Sequence, residues 1–466
     1  MKRRQFIAHG AAGLLAAAGA TAGRAAEIPS PQAVGVITEP ARQVPVVDDA
    51  EVVVCGGGPA GVTAAIAAAR QGAKTVLLEA HGCLGGIWTS GLLSWILDYS
   101  NKGSLLKDIL EQLAKREGRA FTRQKVATNA FDSETMKIVL EQMCADAGVR
   151  AQYHTRVCAA RVEEGRRLTH VITESKSGRE AVKGKVFIDC TGDGDLGAQA
   201  GCRFDFGHPE TGRTQPMSML CLLTGLNPEA VREYYREQDS DGPWAPPKDK
   251  LRAEMEKGGH SPSYSKPSLF RVRDGLFILM ANHEYGFKGT DAREVTEATR
   301  RARRELHQLI DGLRAQGGLW RDLRIVATGE QIGVREGRRL QGLYQVSTDD
   351  LREGRRQPDG VCRVTFGIDV HSTNPKKEKG IEAASFRAKP YDIPLRALIA
   401  RDIEGLMMAG RCISGDFIAH SSYRVTGNAA AMGEAAGVTA ALAAKSNRLP
   451  REVAWEDIAK ILPPIG

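Results

Sequence analysis

The stretch from Glu51 to Gly91 leaves few architectures open. A short apolar run, Val52-Val53-Val54, meets a turn in which Gly56, Gly58 and Gly61 stand at G-x-G-x-x-G spacing. A helix of small residues is expected from Pro59-Ala60 to about Gln71, and a second apolar run, Thr75 to Leu78, ends on Glu79. Each part has a physical task. Gly56 permits the tight turn, Gly58 lets the backbone approach a pyrophosphate, and Gly61 lets helix and strand pack closely. The helix start offers unpaired N–H donors and a positive dipole end to phosphates. Glu79 stands 23 residues (79 − 56) after the first glycine, close to the ~20 of an acid that holds a ribose hydroxyl. The glycines alone are weak evidence. The order strand, glycines, helix, strand, acid is strong, and it predicts dinucleotide binding on a Rossmann-like α/β fold. The bland alternative is a glycine-rich turn without ligand. NAD and FAD both suit this opening. Gly85-Gly86 permits a second close backbone approach to the same ligand.

Two distant stretches complete the pattern. Lys185 to Asp193 reads as a strand running into Thr191-Gly192-Asp193. A second G-x-G-x-x-G falls at Gly192, Gly194 and Gly197, but Asp193 and Asp195 would set carboxylates against a pyrophosphate. No helix–strand–acid sequel follows, so a separate NAD domain is not expected. Near the carboxyl end, Leu406 to Gly410 reads as a buried strand, Gly415-Asp416 as a loop, and Gly427-Asn428 opens another small-residue helix. Between them runs His420-Ser-Ser-Tyr423-Arg424-Val-Thr-Gly427-Asn428.

On these residues the chain resembles the FAD-dependent oxidoreductases of the glutathione reductase-like superfamily, and most of all the branch of succinate dehydrogenase and fumarate reductase flavoproteins. The likeness covers about 48–100, 185–200 and 405–445. It implies FAD as cofactor, with Thr191-Gly192-Asp193 closing over it and Asp416 holding its ribityl or phosphate end. It also implies that the helix opened by Gly427-Asn428 points at the flavin pyrimidine. A helix N-terminus stabilises an anion by about 0.3–1 kcal/mol, which suits reduced flavin. The run from His420 is similar to the family's His-Gly-x-x-Arg-x-Gly-Gly-Asn, where the Arg faces substrate carboxylate; here Ser421 and Thr426 replace two glycines. Arg424 is therefore a candidate substrate contact, and the alternative is an ion pair to Asp416 or Glu434. His420 and Tyr423 are acid–base candidates, with His283 and His371 weaker ones. Arg335, Arg338 and Arg339 share the i, i+3, i+4 spacing of one helical face and offer an anion clamp or a salt-bridged surface. Arg335 and Arg339 join the catalytic candidates. His81 or Cys83 could tether flavin covalently or be ordinary loop residues. Gly86-Ile87-Trp88-Thr89-Ser90 lacks the cysteine pair of dithiol reductases.

The amino terminus carries an address. Lys2-Arg3-Arg4, Phe6 and a short apolar run to Ala22 with Ala20-Thr21-Ala22 resemble a twin-arginine signal over residues 1–26. The run is too short for a span of ~20 residues, so a periplasmic or secreted protein without stable membrane insertion is expected. An uncleaved anchor is the alternative. Beyond residue 26 the chain is long for one core. The expected layout is an FAD domain over 48–205, with a β-meander from Val149 to about Val182, an inserted α+β substrate domain over 206–394, and a return to the FAD domain over 395–466. The net charge of +8 comes without a nucleic-acid-binding motif, so nucleic acid is not an expected partner. Nine cysteines form no C-x-x-C, so no iron–sulfur cluster, haem attachment or metal site is expected. The expected function is an exported FAD-dependent oxidoreductase that moves a hydride between flavin and a small organic substrate, with an external electron donor or acceptor. The alternative is a flavin-bearing electron-transfer subunit with no small substrate of its own.

Overall fold

The computed structural model describes residues 35–122, 126–238, 241–273 and 275–465, so the signal-like segment 1–26 lies outside the described residues. Met1–Pro40 and Ala41–Gly466 are separate units, and the second carries everything below.

Its principal sheet has seven strands: β1 (Val46–Cys55), β2 (Thr75–Leu78), β3 (Arg150–Gln152), β4 (Arg156–Glu163), β5 (Arg167–Ser175), β6 (Gly178–Asp189) and β7 (Leu406–Met408). The order is β3-β2-β1-β6-β5-β4, with β7 paired to the second half of β6. β1, β2, β3, β6 and β7 run parallel, whereas β6, β5 and β4 form the antiparallel meander. The sequence explains the division. Val52, Val53 and Val54 form a continuous apolar run and are fully buried, as a strand covered on both faces requires. The meander strand β4 carries charged residues at both ends and at Arg161, and is only half-buried.

The helix Pro59–Arg70 covers one face and packs against the long carboxyl-terminal helix Thr426–Lys445. Both are built almost wholly from Ala, Gly and other small residues, so their backbones approach closely. Thr63 Oγ1 donates across the interface to the carbonyl of Ala430 at 2.9 Å. A Cβ at Gly433 would lie 2.1 Å from the carbonyl oxygen of Ala60. Gly433→Ala should therefore force the helices apart. We expect a loss of about 1–3 kcal/mol in denaturant unfolding, the usual cost of overpacking; an unchanged midpoint would contradict this packing. Glu434 turns the other way and accepts the N–H groups of Ser104 and Leu105 at the start of the helix Gly103–Lys115.

A second, four-stranded antiparallel sheet is ordered Ser268–Arg273, Leu276–Met280, Leu220–Thr224, Arg324–Thr328. The helix Ala292–Ala315, capped by the Asp291 side chain, buries Ala298, Ala302, Leu306, Leu309, Ile310 and Leu313 at helical spacing. Together with residues from Met217 to Ile332 they form a core of their own. The segment from Leu340 to Ile393 packs instead into the first core. The core thus changes hands near residue 340, well before the expected boundary at 394. The expected helical face of Arg335, Arg338 and Arg339 does not form. Residues 329–338 are irregular and Arg339–Leu340 is a two-residue strand paired to Phe204–Asp205. Gly333 and Gly337 interrupt any helix there. All nine cysteines are unpaired.

Candidate active site

Register fixes where the site lies. Cys55 pairs with Leu78 on one side and Asp189 on the other, and Asp189 pairs with Met408. Four parallel strands therefore end level with one another. The chain leaves each through residues that line one cavity: Gly56 and Gly58 to Ala60, Glu79 to His81, Cys190 to Asp193, and Ala409 to Arg411. This is the carboxyl edge of an open α/β sheet, where such folds bind ligands.

The glycine turn is built as the spacing requires. Gly56 has φ +98°, and a Cβ on Gly61 would lie 1.7 Å from the Gly56 carbonyl oxygen. Gly58 differs: an added Cβ would meet no atom within 4 Å, because it would point into the open cradle. The second loop is fastened to the first by the N–H of Gly85, which donates to the Gly57 carbonyl at 2.8 Å. Glu79 accepts the N–H groups of Gly57 (2.5 Å) and His81 (2.8 Å), which fixes its buried carboxylate on the cavity wall. His81 also lines the cavity and faces Glu330 at 3.4 Å, while Cys83 turns into the core.

Thr191-Gly192-Asp193 is positioned from beneath by Asp189, which accepts from Thr191 N (3.0 Å), Thr191 Oγ1 (2.7 Å) and Gly197 N (2.8 Å). Asp193 does not stand against the cavity as a bare charge. Arg411 Nη2 lies 3.2 Å from its carboxylate, and Arg338 donates to its carbonyl and to Asp195. Burial pushes the Asp193 carboxyl up, and the Arg411 charge opposes that shift.

At the far side Arg424 lines the cavity with its side chain 10% exposed. Its Nη2 donates to the Asp369 carbonyl (2.9 Å), the Asp369 carboxylate (3.2 Å) and Gln215 Oε1 (3.4 Å). Its partner is thus Asp369, not Asp416 or Glu434. Arg424 Nε, Gln215 Nε2 and Thr426 Oγ1 are buried polar atoms with no partner. An unpaired buried donor costs about 1–3 kcal/mol, so Arg424 Nε and Thr426 Oγ1, on two residues that line the cavity, indicate a polar ligand. Burial would raise the Asp369 carboxyl, but His371, Arg424 and Arg335 outweigh it and hold the group below the usual carboxylate range.

Several expected residues are elsewhere. His420 and Tyr423 are fully buried and line no part of the cavity; both sit on the inward face of the helix Phe417–Tyr423, and Tyr423 Oη donates to the Ile413 carbonyl. Burial drives the His420 imidazole well below its ordinary pKa. Asp416 is the N-cap of that helix, accepting from Ala419 N (2.7 Å) and from Thr348, and Gly415 packs beside Tyr423. Gly427 and Asn428 are buried behind the cavity, which their neighbours Thr426 and Ala429 reach instead. Arg339 pairs with Glu336 at 2.5 Å. Arg335 donates to the Pro216 carbonyl and Ser218 Oγ. Sequence reading missed Gly410-Arg411, although they follow a buried strand as Gly56 follows β1. It also missed Asp189, Gln215 and Asp369, which carry no local signal.

A sheet edge of this build, with a glycine cradle, a fixed acid and unpaired donors opposite, defines a dinucleotide-binding protein of the α/β class. The chain belongs to the FAD dependent oxidoreductase family, whose model matches residues 51–462. It is an FAD-dependent enzyme, and the open cradle at Gly58 and the unpaired donors fit that cofactor. No curated protein sequence matches the chain. Among solved structures it is similar to a geranylgeranyl bacteriochlorophyll reductase-like protein from Thermoplasma acidophilum (14% identity over 89% of this chain and 83% of that one, TM-score 0.43). It is also similar to a flavin-dependent brominase (10% identity, 88% and 82%, TM-score 0.47). A third is p-nitrophenol 4-monooxygenase from Pseudomonas putida (13% identity, 64% and 70%, TM-score 0.38).

Proposed function

We propose that the protein is an exported oxidoreductase that transfers a hydride between FAD and a small organic substrate held at the Arg424 end of the cavity. The observation that carries the reading is Arg424 itself. It lines the cavity, one nitrogen is tethered by Asp369, and Nε is left without a partner. A tethered guanidinium is a preorganised donor for a carboxylate or a developing oxyanion. Bound FAD supplies a two-electron donor or acceptor. The chain's own residues do the rest. Gly56 to Ala60 and Gly86 would cradle the pyrophosphate, Glu79 the ribose, and Thr191-Gly192-Asp193 with Gly410-Arg411 would close the wall between. The segment from Met217 to Ile332 is read as the cap that brings Gln215 and Arg335 towards Arg424 and limits water. The run from His420 to Asn428 supports descent from the fumarate reductase branch of the glutathione reductase-like superfamily. Electrons would leave to, or come from, an external partner.

Steady-state turnover with artificial acceptors, across a panel of small organic acids, alcohols and amines, tests this. Substrate-dependent turnover above the flavin's own background supports it. Exchange of electrons with a protein partner but with no small molecule would favour an electron-transfer subunit.

Export is a separate reading that rests on Arg3-Arg4 before the short apolar run. Replacing both with Lys should leave the precursor inside the cell, measured by fractionation and immunoblot. Normal export of that variant would reject the twin-arginine assignment. No described helix is long and apolar enough to cross a membrane.

A further inference from the structure

The cavity holds a polar group that the reading above leaves idle. Gln331 lines it, and Gln331 Oε1 is buried without a hydrogen-bond partner. Among the described residues that line the cavity, Gln331 alone comes from the segment Met217 to Ile332. The backbone fixes its place. Gln331 N–H donates to the Ser90 carbonyl (3.2 Å), on the loop that follows Gly85-Gly86. On either side, Gly329 N–H donates to the Leu220 carbonyl (2.9 Å) and Gly333 N–H to the Ser218 carbonyl (2.7 Å). A Cβ at Gly333 would lie 3.0 Å from the Ser218 carbonyl oxygen and 3.3 Å from Ile87 Cδ1, and Ile87 lines the cavity. The segment is thus held tightly between the second sheet and the cavity wall. The run Gln215 to Ser218 joins it to Arg424: Gln215 Oε1 accepts from Arg424 at one end, and Ser218 pairs with Gly333 at the other.

The unpaired atoms on these lining residues are of two kinds. Arg424 Nε can only donate, Thr426 Oγ1 can donate, and Gln331 Oε1 can only accept. A buried acceptor left bare is costly, so the occupant of this part of the cavity brings a donor. A carboxylate held by Arg424 offers acceptors alone. The donor is therefore a second group on the same molecule. An ammonium is disfavoured in that place. Arg335 and Arg424 both act on the Asp369 carboxylate, which is already paired with Arg424 and faces His371. The Gln331 amide carries no charge to offset a further cation. A hydroxyl brings the donor without a charge.

We propose that Gln331 determines specificity: its Oε1 accepts a hydrogen bond from a substrate hydroxyl, so that the substrate is a small hydroxy acid with its carboxylate on Arg424 and its hydroxyl on Gln331. The inserted segment thereby selects among acids that the Arg424 guanidinium alone would hold alike. The inference rests on the reading that the substrate sits against Arg424, and the test below tells failure of the one from failure of the other.

Equilibrium binding to FAD-loaded full-length protein, followed by perturbation of the flavin absorbance, provides that test. The probes are two pairs of acids that exchange a hydroxyl for a methyl group: 2-hydroxyisobutyrate against pivalate, and 3-hydroxyisovalerate against tert-butylacetate. The hydroxyl-bearing carbon of each hydroxy acid carries no hydrogen, so it yields no hydride and binding is read alone. Wild-type protein should prefer the hydroxy acid of at least one pair by ~10-fold or more, the usual cost of leaving a buried group unpaired. Gln331→Leu should bind both members of that pair equally, with FAD affinity unchanged. Gln331→Glu keeps acceptor oxygens, so it should retain the preference although its charge weakens both members. Arg424→Lys should weaken both members alike. Equal binding of each pair by the wild type, or a preference that survives Gln331→Leu, overturns the role of Gln331 and leaves the Arg424 reading in place. Loss of FAD from Gln331→Leu overturns it too, because the residue then serves the cofactor. Failure of every acid to bind, or binding indifferent to Arg424→Lys, overturns the Arg424 reading and this inference with it.

Discussion

The Gly58→Asp protein is expected to be colourless as purified. Gly58 opens the helix Pro59–Arg70 with φ −71°, a conformation that any residue adopts, and its added side chain would meet nothing within 4 Å. The apoprotein should therefore fold and melt like wild-type apoprotein. The space it enters is the cradle, where a pyrophosphate would lie against the turn. A carboxylate ~4 Å from a phosphate charge costs about 4 kcal/mol at an effective dielectric of 20, or roughly 10³ in affinity. Steric exclusion adds to that. Titration of apoprotein with FAD, followed by fluorescence quenching, measures the loss. Gly58→Ala should fall between, since a methyl group narrows the cradle without a charge. Binding as tight as wild type in Gly58→Asp would place the cofactor somewhere else.

The second large effect is expected at Arg424. Arg424→Lys keeps the charge and loses the fork of fixed donors. It should retain FAD and its melting temperature while kcat/KM falls by ~10²–10³, the usual cost of losing one preorganised electrostatic stabiliser. Arg424→Ala should fall further. A purely structural role makes the opposite prediction. Asp369 would lose its closest guanidinium, and the damage would show as a lowered Tm or lost FAD, with little change in the kinetics of the remaining holoenzyme. Asp369 keeps His371 at 3.4 Å in either variant, which is why we expect the fold to survive. Measuring both quantities on both variants separates the two roles.

The FAD half was legible because its information is local. Three valines, three glycines at fixed spacing and an acid define the first strand, turn, helix and second strand, and the structure builds them at those positions. The charged helix was visible from the spacing of its apolar face, Ala298 to Leu313. The far side of the cavity was legible at Arg424 alone. Asp369 and Gln215 come from segments 55 and 209 residues away, and nothing in their neighbours announces the approach. His420 and Tyr423 were misread because a residue's place in a motif does not say which face of a short helix it takes. The signal for that was present: Asp416 before Phe417-Ile418 is an N-cap residue, and a helix started there turns both side chains inward. Arg335, Arg338 and Arg339 were placed on one face by spacing, yet two glycines in their own stretch keep the chain from helix, and the three go to three different partners.

The seating of the cofactor is tested most directly on the wild-type protein. Purified under mild conditions, it should be yellow; heat or acid should release its chromophore, and chromatography should identify FAD, about one per chain, with neither FMN nor NAD. The glycine cradle, the fixed Glu79 and the matched strand ends all predict that result. A colourless protein that cannot be reconstituted with FAD, or one that releases a different nucleotide, would contradict it.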